Sequence, residues 1–545
     1  MIDEIALKVL EKRYLARDEA GIPTESVEEM FRRVADHVAA ADPSRDRTAR
    51  RKISDIYFRM MYDLEFLPNS PTLMNAGRDL GQLAACFVLP VEDSLESIFQ
   101  SIKDTAMIHQ SGGGTGFSFS RLRPKGDIVR STMGAASGPV SFIRVFNMAT
   151  EVIKQGGTRR GANMGILRID HPDIEEFITI KTDPAELVNF NLSVAITDEF
   201  FEHCRGNKVF TLVNPRNGQA VRKVPALDLM GLIARCAWKS GEPGLVFIDT
   251  VNRSNPTPHL GAIEATNPCG EQPLLPYESC CLGSIDCSKV VREGRIDHDK
   301  LKVLVHDAVR FLDDTIDAGR YPLEPIKEIS RANRKLGLGV MGFAHMLIKL
   351  GIPYDSDKAV KAANDLMGFI DDESKKASTE LATERGVFPN YKGSIWEKKG
   401  IPIRNATTTT IAPTGTLSIL AGTSSGIEPV YDTEYSRVLF GGLRVNIVDP
   451  LYKKMLDTTR PNRLKGLFRK AYDVSPGWHI GIQKAFQDHV DNAVSKTINL
   501  SASATPQDIQ SIYIKAYDMG LKGITVFRDT SRDAQILSCR TQQTC

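Results

Sequence analysis

From about residue 83 onward the chain repeats one pattern: a short run of strand-forming residues, then a longer stretch with apolar residues at helical spacing. The β-rich runs are 86–91, 116–122, 164–169, 191–196, 245–248, 407–412 and 524–527, and long helical stretches such as 301–318 and 356–385 fill the intervals. This alternation predicts an α/β core built largely of parallel strands. At 545 residues the chain is long enough for one large catalytic domain, because α/β barrels absorb such lengths as a single unit. No repeat of fixed period and no low-complexity linker divides it.

Before this core, Val27, Met30, Phe31, Val34, Ala35 and Val38 recur at helical spacing among charges, which predicts an amphipathic helical preface with a scaffold role. After Phe527 the pattern stops. Residues 531–545 are polar apart from Ile536 and Leu537 and read as a flexible tail. The predicted division is therefore 1–82 helical, 83–530 catalytic and 531–545 tail.

Lys and Arg total 69 against 67 for Asp and Glu, a net charge of +2. No whole-chain field draws in nucleic acid or a membrane surface, so an anionic ligand must be held locally. The first eighteen residues carry charges throughout, and the longest apolar run, 336–348, is broken by glycines and contains His345. Neither is a signal core or a membrane span. Nine cysteines without a regular framework indicate thiols in a reducing, cytoplasmic compartment.

The densest chemistry lies at 267–280, where Asn267, Cys269 and Glu271 alternate on a loop stiffened by Pro268, Gly270 and Pro273. On extended backbone these three side chains share a side. Cys269 has several readings. A packed, inert thiol is the common fate of a lone cysteine. A nucleophile needs a base, but no His lies nearby in sequence and Glu271 raises the thiol pKa. A thiyl radical needs no thiolate. Zinc would draw on Cys269, Cys280, Cys281 and Cys287, but structural zinc pairs its ligands two to four residues apart, and here the gaps are eleven, one and six. No metal site is assigned.

At this point the chain resembles the adenosylcobalamin-dependent (class II) ribonucleotide reductases, of the type acting on ribonucleoside diphosphates. The resemblance covers nearly the whole length. It rests on ordered motifs: 66–77 (FLPNSPTLMNAG), 84–90 (AACFVLP), 112–117 (GGGTGF), 155–165 (QGGTRRGANMG), 267–271 (NPCGE) and 411–429. It implies a ten-stranded α/β barrel, preceded by a helical N-terminal region, with Cys269 at the tip of a finger loop threaded through its centre. In that family a deoxyadenosyl radical from the cofactor oxidises the loop cysteine to a thiyl, which takes the 3′ hydrogen of the ribose. Carried over, Glu271 accepts the 3′-hydroxyl proton, Asn267 hydrogen-bonds the ribose hydroxyls, and Cys86 delivers a proton as the 2′-hydroxyl leaves as water.

The resemblance also implies a second reducing thiol beside Cys86. Cys280 matches that position, but Cys281 directly follows it where Asn is common. Adjacent residues of a strand face opposite sides, so one of the two meets Cys86, and Cys280 is the expected partner. Cys204, Cys236, Cys281 and Cys287 are expected as packed thiols.

Gly112 to Gly116 lacks the spacing of a dinucleotide fingerprint and no Walker-type loop is present. Alone, it reads as a plain turn. With the resemblance, Gly114 and Ala85 lie against the substrate. The run Pro413, Thr414, Gly415, Thr416 reads either as a strand-to-helix turn with capping threonines or, by resemblance, as the diphosphate site assisted by Ser70.

Reductases driven by a partner subunit relay the radical through two adjacent tyrosines in a run resembling 520–528, where this chain has Val526 and Phe527. A glycyl-radical motif is also missing. The resemblance therefore implies a cobalamin and no radical-generating small subunit. No Asp-x-His-x-x-Gly motif marks a protein ligand to the cobalt.

The family controls substrate choice through a deoxynucleoside triphosphate or ATP effector. The matching residues are Asp93, Arg123 and Arg130, with Arg159 and Arg160 on the relaying loop; in isolation these arginines read as a solvated face. A homodimer and a thioredoxin-like or other dithiol reductant are implied. The helical preface is too short to hold an overall-activity module as well, so specificity control without dATP shut-off is expected. Cys539 and Cys545 stand where a mobile tail carries its redox pair, though more widely spaced. Two rival readings remain at this level: another thiyl-radical barrel enzyme, or a catalytically idle nucleotide-binding subunit.

Overall fold

The computed structural model describes residues 2–44, 46–129, 133–153, 161–438, 444–531 and 537–539. The preface folds as three helices, Glu4–Arg13, Val27–Ala39 and Arg47–Tyr62. Each starts where a side chain satisfies orphan amides: Asp3 and Asp46 accept from backbone N–H groups, and Ser26 forms a capping box with Glu29. The second helix buries Met30, Phe31, Val34, Ala35 and Val38, the stripe read from the sequence.

Ten strands form one continuous sheet: β1 Phe66–Pro68, β2 Cys86–Leu89, β3 Gly114–Ser118, β4 Asn163–Arg168, β5 Phe190–Ile196, β6 Gly244–Phe247, β7 Ser279–Asp286, β8 Leu336–Met341, β9 Thr497–Leu500 and β10 Gly523–Arg528. Strands β2 to β6 run parallel in chain order. The pairs β7/β8 and β9/β10 are also parallel.

The two sets meet antiparallel, β2 against β7 and β6 against β10, and β1 adds antiparallel to β7. A largely parallel core thus holds within each half, and the seams depart from it. The predicted strand at 407–412 links the halves instead of forming a full ladder. Thr410 N donates to Leu338 O of β8 at 3.0 Å, and Ser495 N donates to Ile411 O at 2.9 Å on the approach to β9. These bonds carry the ring of strands onward as a barrel.

Side-chain alternation sorts each strand between two environments. Phe87, Leu89, Phe117 and Leu167 face outward into a core shared with the covering helices, whereas Val88, Met164 and Ile166 face inward. The inward set packs on Ile263, Ala265 and Leu274, which belong to the segment carrying the loop at 267–272. A second outer core, under the helices His298–Ala318 and Asp357–Arg385, takes Ile285, Leu336 and Leu338 from β7 and β8. Among the described residues no helix is long and apolar enough to cross a membrane.

Candidate active site

Ala265–Thr266 and Pro273–Leu274 pair as a two-stranded hairpin that reaches into the barrel. Its path crosses β3 closely: a Cβ on Gly116 would stand 1.8 Å from the carbonyl oxygen of Thr266, so only glycine admits the crossing. Three barrel segments grip the tip. Asn191 of β5 donates to Pro268 O at 2.8 Å, Thr410 Oγ1 donates to Glu271 O at 3.0 Å, and Ala493 N donates to the same carbonyl at 2.9 Å.

At the tip the chain turns sharply, which differs from the extended backbone expected there. Gly270 N donates to Asn267 O at 3.0 Å, with Pro268 at the second position, and Gly270 has φ +81°. This is turn chemistry, and proline and glycine stand where a tight turn favours them. The consequence is an asymmetric display. Asn267 is 1% and Glu271 2% exposed, while Cys269 stands exposed.

Asn267 is held from both ends of its amide. Its Oδ1 accepts from Gln272 N at 2.9 Å, and its Nδ2 donates to the sulfur of Cys86 at 3.1 Å. Cys86 is the register partner of Cys280 across the β2/β7 seam, and the two thiols cluster with Leu282. Cys281 belongs to the outer core on the far side of the strand. Burial, with Cys281 and Cys86 adding to it, pushes the Cys280 thiol well above its ordinary value. Burial holds Cys281 at about 12. Both are protonated at neutral pH. Cys287 donates to Met341 O at 3.0 Å, and Cys204 and Cys236 are buried apart from these.

Ala85 and Gly114 flank the thiols: Gly114 N donates to Ala85 O at 3.0 Å, and Gly114 pairs in register with Cys86. A Cβ on Gly114 would touch the Pro268 ring at 3.0 Å. Pro413 lines the cavity at the finger tip together with Cys269, Gly270 and Phe527. After it, Thr414 takes a left-handed φ of +53° and its hydroxyl accepts from Gly426 N at 2.7 Å. Gly415 follows, and Thr416 precedes the helix Leu417–Ala421 without a side-chain cap bond. Ser70 opens the helix Ser70–Asn75. The first helix reaches both places: Tyr14 Oη bonds Ser70 Oγ at 2.8 Å and Arg13 Nη1 donates to Thr416 Oγ1 at 3.2 Å. Sequence reading gave that helix no part in the site, since 403 positions separate Arg13 from Thr416.

Two family models match the chain, "Ribonucleotide reductase, all-alpha domain" over residues 1–81 and "Ribonucleotide reductase, barrel domain" over 84–527. The chain belongs to the ribonucleotide reductase family. Relatives named vitamin B12-dependent ribonucleoside-diphosphate reductase, from Thermoplasma acidophilum and Mycobacterium tuberculosis, are each 47% identical to it. The alignments cover 99% and 98% of this chain and 80% of each relative. A vitamin B12-dependent ribonucleotide reductase of Streptomyces clavuligerus is 30% identical over 87% of this chain and 60% of its own length.

For a reductase of this family the space beyond the finger tip matters most. The cavity at Cys269, about 340 Å³, shares Pro413, Glu428, Thr497 and Phe527 with a wider one of about 600 Å³. Tyr431, Tyr435, Ile447 and Tyr472 give the wider cavity broad apolar walls, and Thr423 and Asp449 bring polar groups to it. A flat macrocycle with a polar rim suits such a lining. The tyrosines carried no motif and could not be found from the sequence.

The effector residues lie elsewhere. Asp93 and Arg123 pair with each other at 2.8 Å, and Asp93 precedes the helix Leu95–Gln110. Arg130, Arg159 and Arg160 lie outside the described residues. Of the tail, Leu537–Cys539 pairs with Glu434–Val438, placing Cys539 opposite Tyr435 in register. Cys545 lies outside the described residues.

Proposed function

We propose that this protein reduces ribonucleoside diphosphates to 2′-deoxyribonucleoside diphosphates through a thiyl radical at Cys269 started by adenosylcobalamin, supplying precursors for DNA synthesis. The observation that carries the reading is one juxtaposition. The Cys86 and Cys280 pair, with Asn267 donating to Cys86, lies beneath a finger loop that exposes Cys269. The two names at 47% identity support the diphosphate substrate and the cofactor.

In this reading the coenzyme supplies the carbon radical that takes a hydrogen atom from a thiol, held by the apolar walls at Tyr431, Tyr435 and Tyr472 with Phe527 at the junction. The cysteine radical at 269 takes the 3′ hydrogen of the ribose. Glu271 takes the 3′-hydroxyl proton and Asn267 orients the hydroxyls. Cys86 and Cys280 give two electrons and two protons: a disulfide forms, the 2′ carbon–oxygen bond breaks and water leaves. The high pKa of Cys280 suits this step, which consumes a thiol proton. A thioredoxin-like or other dithiol then restores the pair by exchange.

Phe527 supports radical generation within the subunit, since it has no phenolic proton to relay. A deoxynucleoside triphosphate or ATP effector at Asp93 and Arg123, with Arg130, Arg159 and Arg160, completes the reading, with Ser70, Ala85, Gly114 and 413–416 around the substrate. A homodimer is supported by exposed apolar side chains on two adjacent helices: Leu95 and Phe99 on Leu95–Gln110, Met148 and Val152 on Pro139–Val152.

The test is anaerobic turnover of cytidine diphosphate with adenosylcobalamin and dithiothreitol, beside Cys269→Ser. Deoxycytidine diphosphate is expected from the wild type alone. Product without cobalamin, or undiminished activity in the variant, refutes the proposal.

A further inference from the structure

Glu278 and Lys335 form an ion pair inside the barrel, 1% and 2% exposed, with Lys335 Nζ donating to Glu278 Oε2 at 2.6 Å. A buried pair of charges is a poor source of stability, and no step of the proposed reaction uses this one. Glu278 also accepts from Leu275 N at 2.7 Å, where the finger hairpin ends, and from Asn333 Nδ2 at 2.5 Å. It stands two residues before Cys280, at the entry to β7.

Strand β8 pairs with β7 so that Leu336 lies opposite Cys281. Both belong to the outer core, so the residues before them, Lys335 and Cys280, turn to the barrel interior. Cys280 is in turn the register partner of Cys86. Three neighbouring segments thus bring Cys86, Cys280 and an ammonium into one row on the inner face. Burial, Cys281, Cys86 and Glu271 disfavour a thiolate at Cys280, whereas Lys335 favours one. Glu278 takes one of the three N–H donors of the ammonium, which leaves donors for a sulfur anion. The two thiols are also unequally open, Cys86 at 6% and Cys280 at 1%. An incoming thiolate therefore meets Cys86 first, and a disulfide opens faster when its leaving sulfur is the better stabilised anion.

We propose that Lys335 directs re-reduction of the Cys86–Cys280 disulfide, as the cation beside which Cys280 leaves as a thiolate, with Glu278 holding it in place. The incoming dithiol, as a thiolate, bonds to the Cys86 sulfur. The sulfur–sulfur bond breaks, and its electron pair goes to Cys280, which Lys335 stabilises until it takes a proton. The second thiolate of the dithiol then displaces Cys86 and closes the dithiol's own disulfide, and Cys86 takes the second proton. The dithiol is oxidised by two electrons and the cysteine pair reduced by two. This rests on the reading of Cys86 and Cys280 as the redox pair given above.

For the test, the protein is oxidised with diamide and mixed anaerobically with dithiothreitol at neutral pH. Freed thiols are trapped by alkylation and identified by peptide mass spectrometry in wild type, Lys335→Met and Glu278→Gln. Lys335→Met is expected to reopen the disulfide about 10-fold more slowly, from the loss of one nearby charge. Glu278→Gln leaves the cation uncompensated and is expected to reopen it at least as fast as wild type. A purely structural pair gives both variants the same defect, so equal slowing overturns the proposal, as does a wild-type rate in Lys335→Met. With 2-mercaptoethanol and an early acid quench, the mixed disulfide is expected on Cys86 of the oxidised wild type; an adduct on Cys280 overturns the proposed direction. That measurement needs no variant and decides the question if Lys335→Met does not fold. If diamide forms no Cys86–Cys280 disulfide in wild type, the redox-pair reading falls and the proposal with it. A disulfide that forms and reopens at one rate in all three proteins overturns this proposal alone.

Discussion

Cys280 and Cys281 are adjacent and chemically identical, yet the pleat of β7 sends one toward Cys86 and the other into the outer core. A disulfide needs the two Cβ atoms close and facing, and register partners across a seam meet that need. Cys280→Ser is therefore expected to lower kcat for deoxycytidine diphosphate formation about 100-fold or more, whereas Cys281→Ser stays within about threefold. Retained multiple turnover in Cys280→Ser would show the assignment to be wrong. Both thiols have pKa values raised by burial, so the nucleophilic thiolate forms only in strongly alkaline solution. Iodoacetamide at neutral pH is expected to label exposed Cys269 ahead of either, read by peptide mass spectrometry.

The finger hairpin is positioned by contacts it cannot make alone. Its own bonds close the turn, but Asn191, Thr410 and Ala493 fix where the turn sits. Gly116 is the point of closest approach, where an added methyl carbon meets a backbone carbonyl at 1.8 Å. Neither partner is a flexible side-chain end, so Gly116→Ala must move the hairpin or the strand. The expected cost is about 1–3 kcal/mol of stability. Because a misplacement of about 1 Å at a reacting group costs about a hundredfold in rate, activity should fall by that order. Thermal melting and single-turnover product measure the two; full activity in the variant would show that the crossing is looser than drawn.

At the scale of the whole molecule, Phe99, Met148 and Val152 form an exposed apolar surface on paired helices. Leaving it in water is costly, and a second copy is the occupant proposed above. Met148→Glu is expected to weaken self-association about 100-fold or more by burying a charge in that contact. Sedimentation would then shift from dimer to monomer at micromolar protein; an unchanged dimer would place the interface elsewhere.

The α/β alternation, the amphipathic preface with Met30, Phe31 and Val34, and the finger motif around Cys269 are local, and local patterns survive in a linear chain. Periodicity of 2 or 3.6, Pro and Gly at a turn, and ordered motifs need no knowledge of the fold. Two features needed tertiary structure. The antiparallel seams depend on where a half-barrel ends, and no residue marks that. The site itself draws Arg13, Cys86, Asn267, Cys280 and Thr416 from segments up to 403 positions apart, and strand register, which no single segment encodes, is what sets the expected partners Cys86 and Cys280 opposite each other. The sequence by itself determined which motifs offer candidate chemistry; the arrangement of strands decided which of those side chains stand within reach of one another, because contact in a folded chain follows pairing and burial rather than order along it.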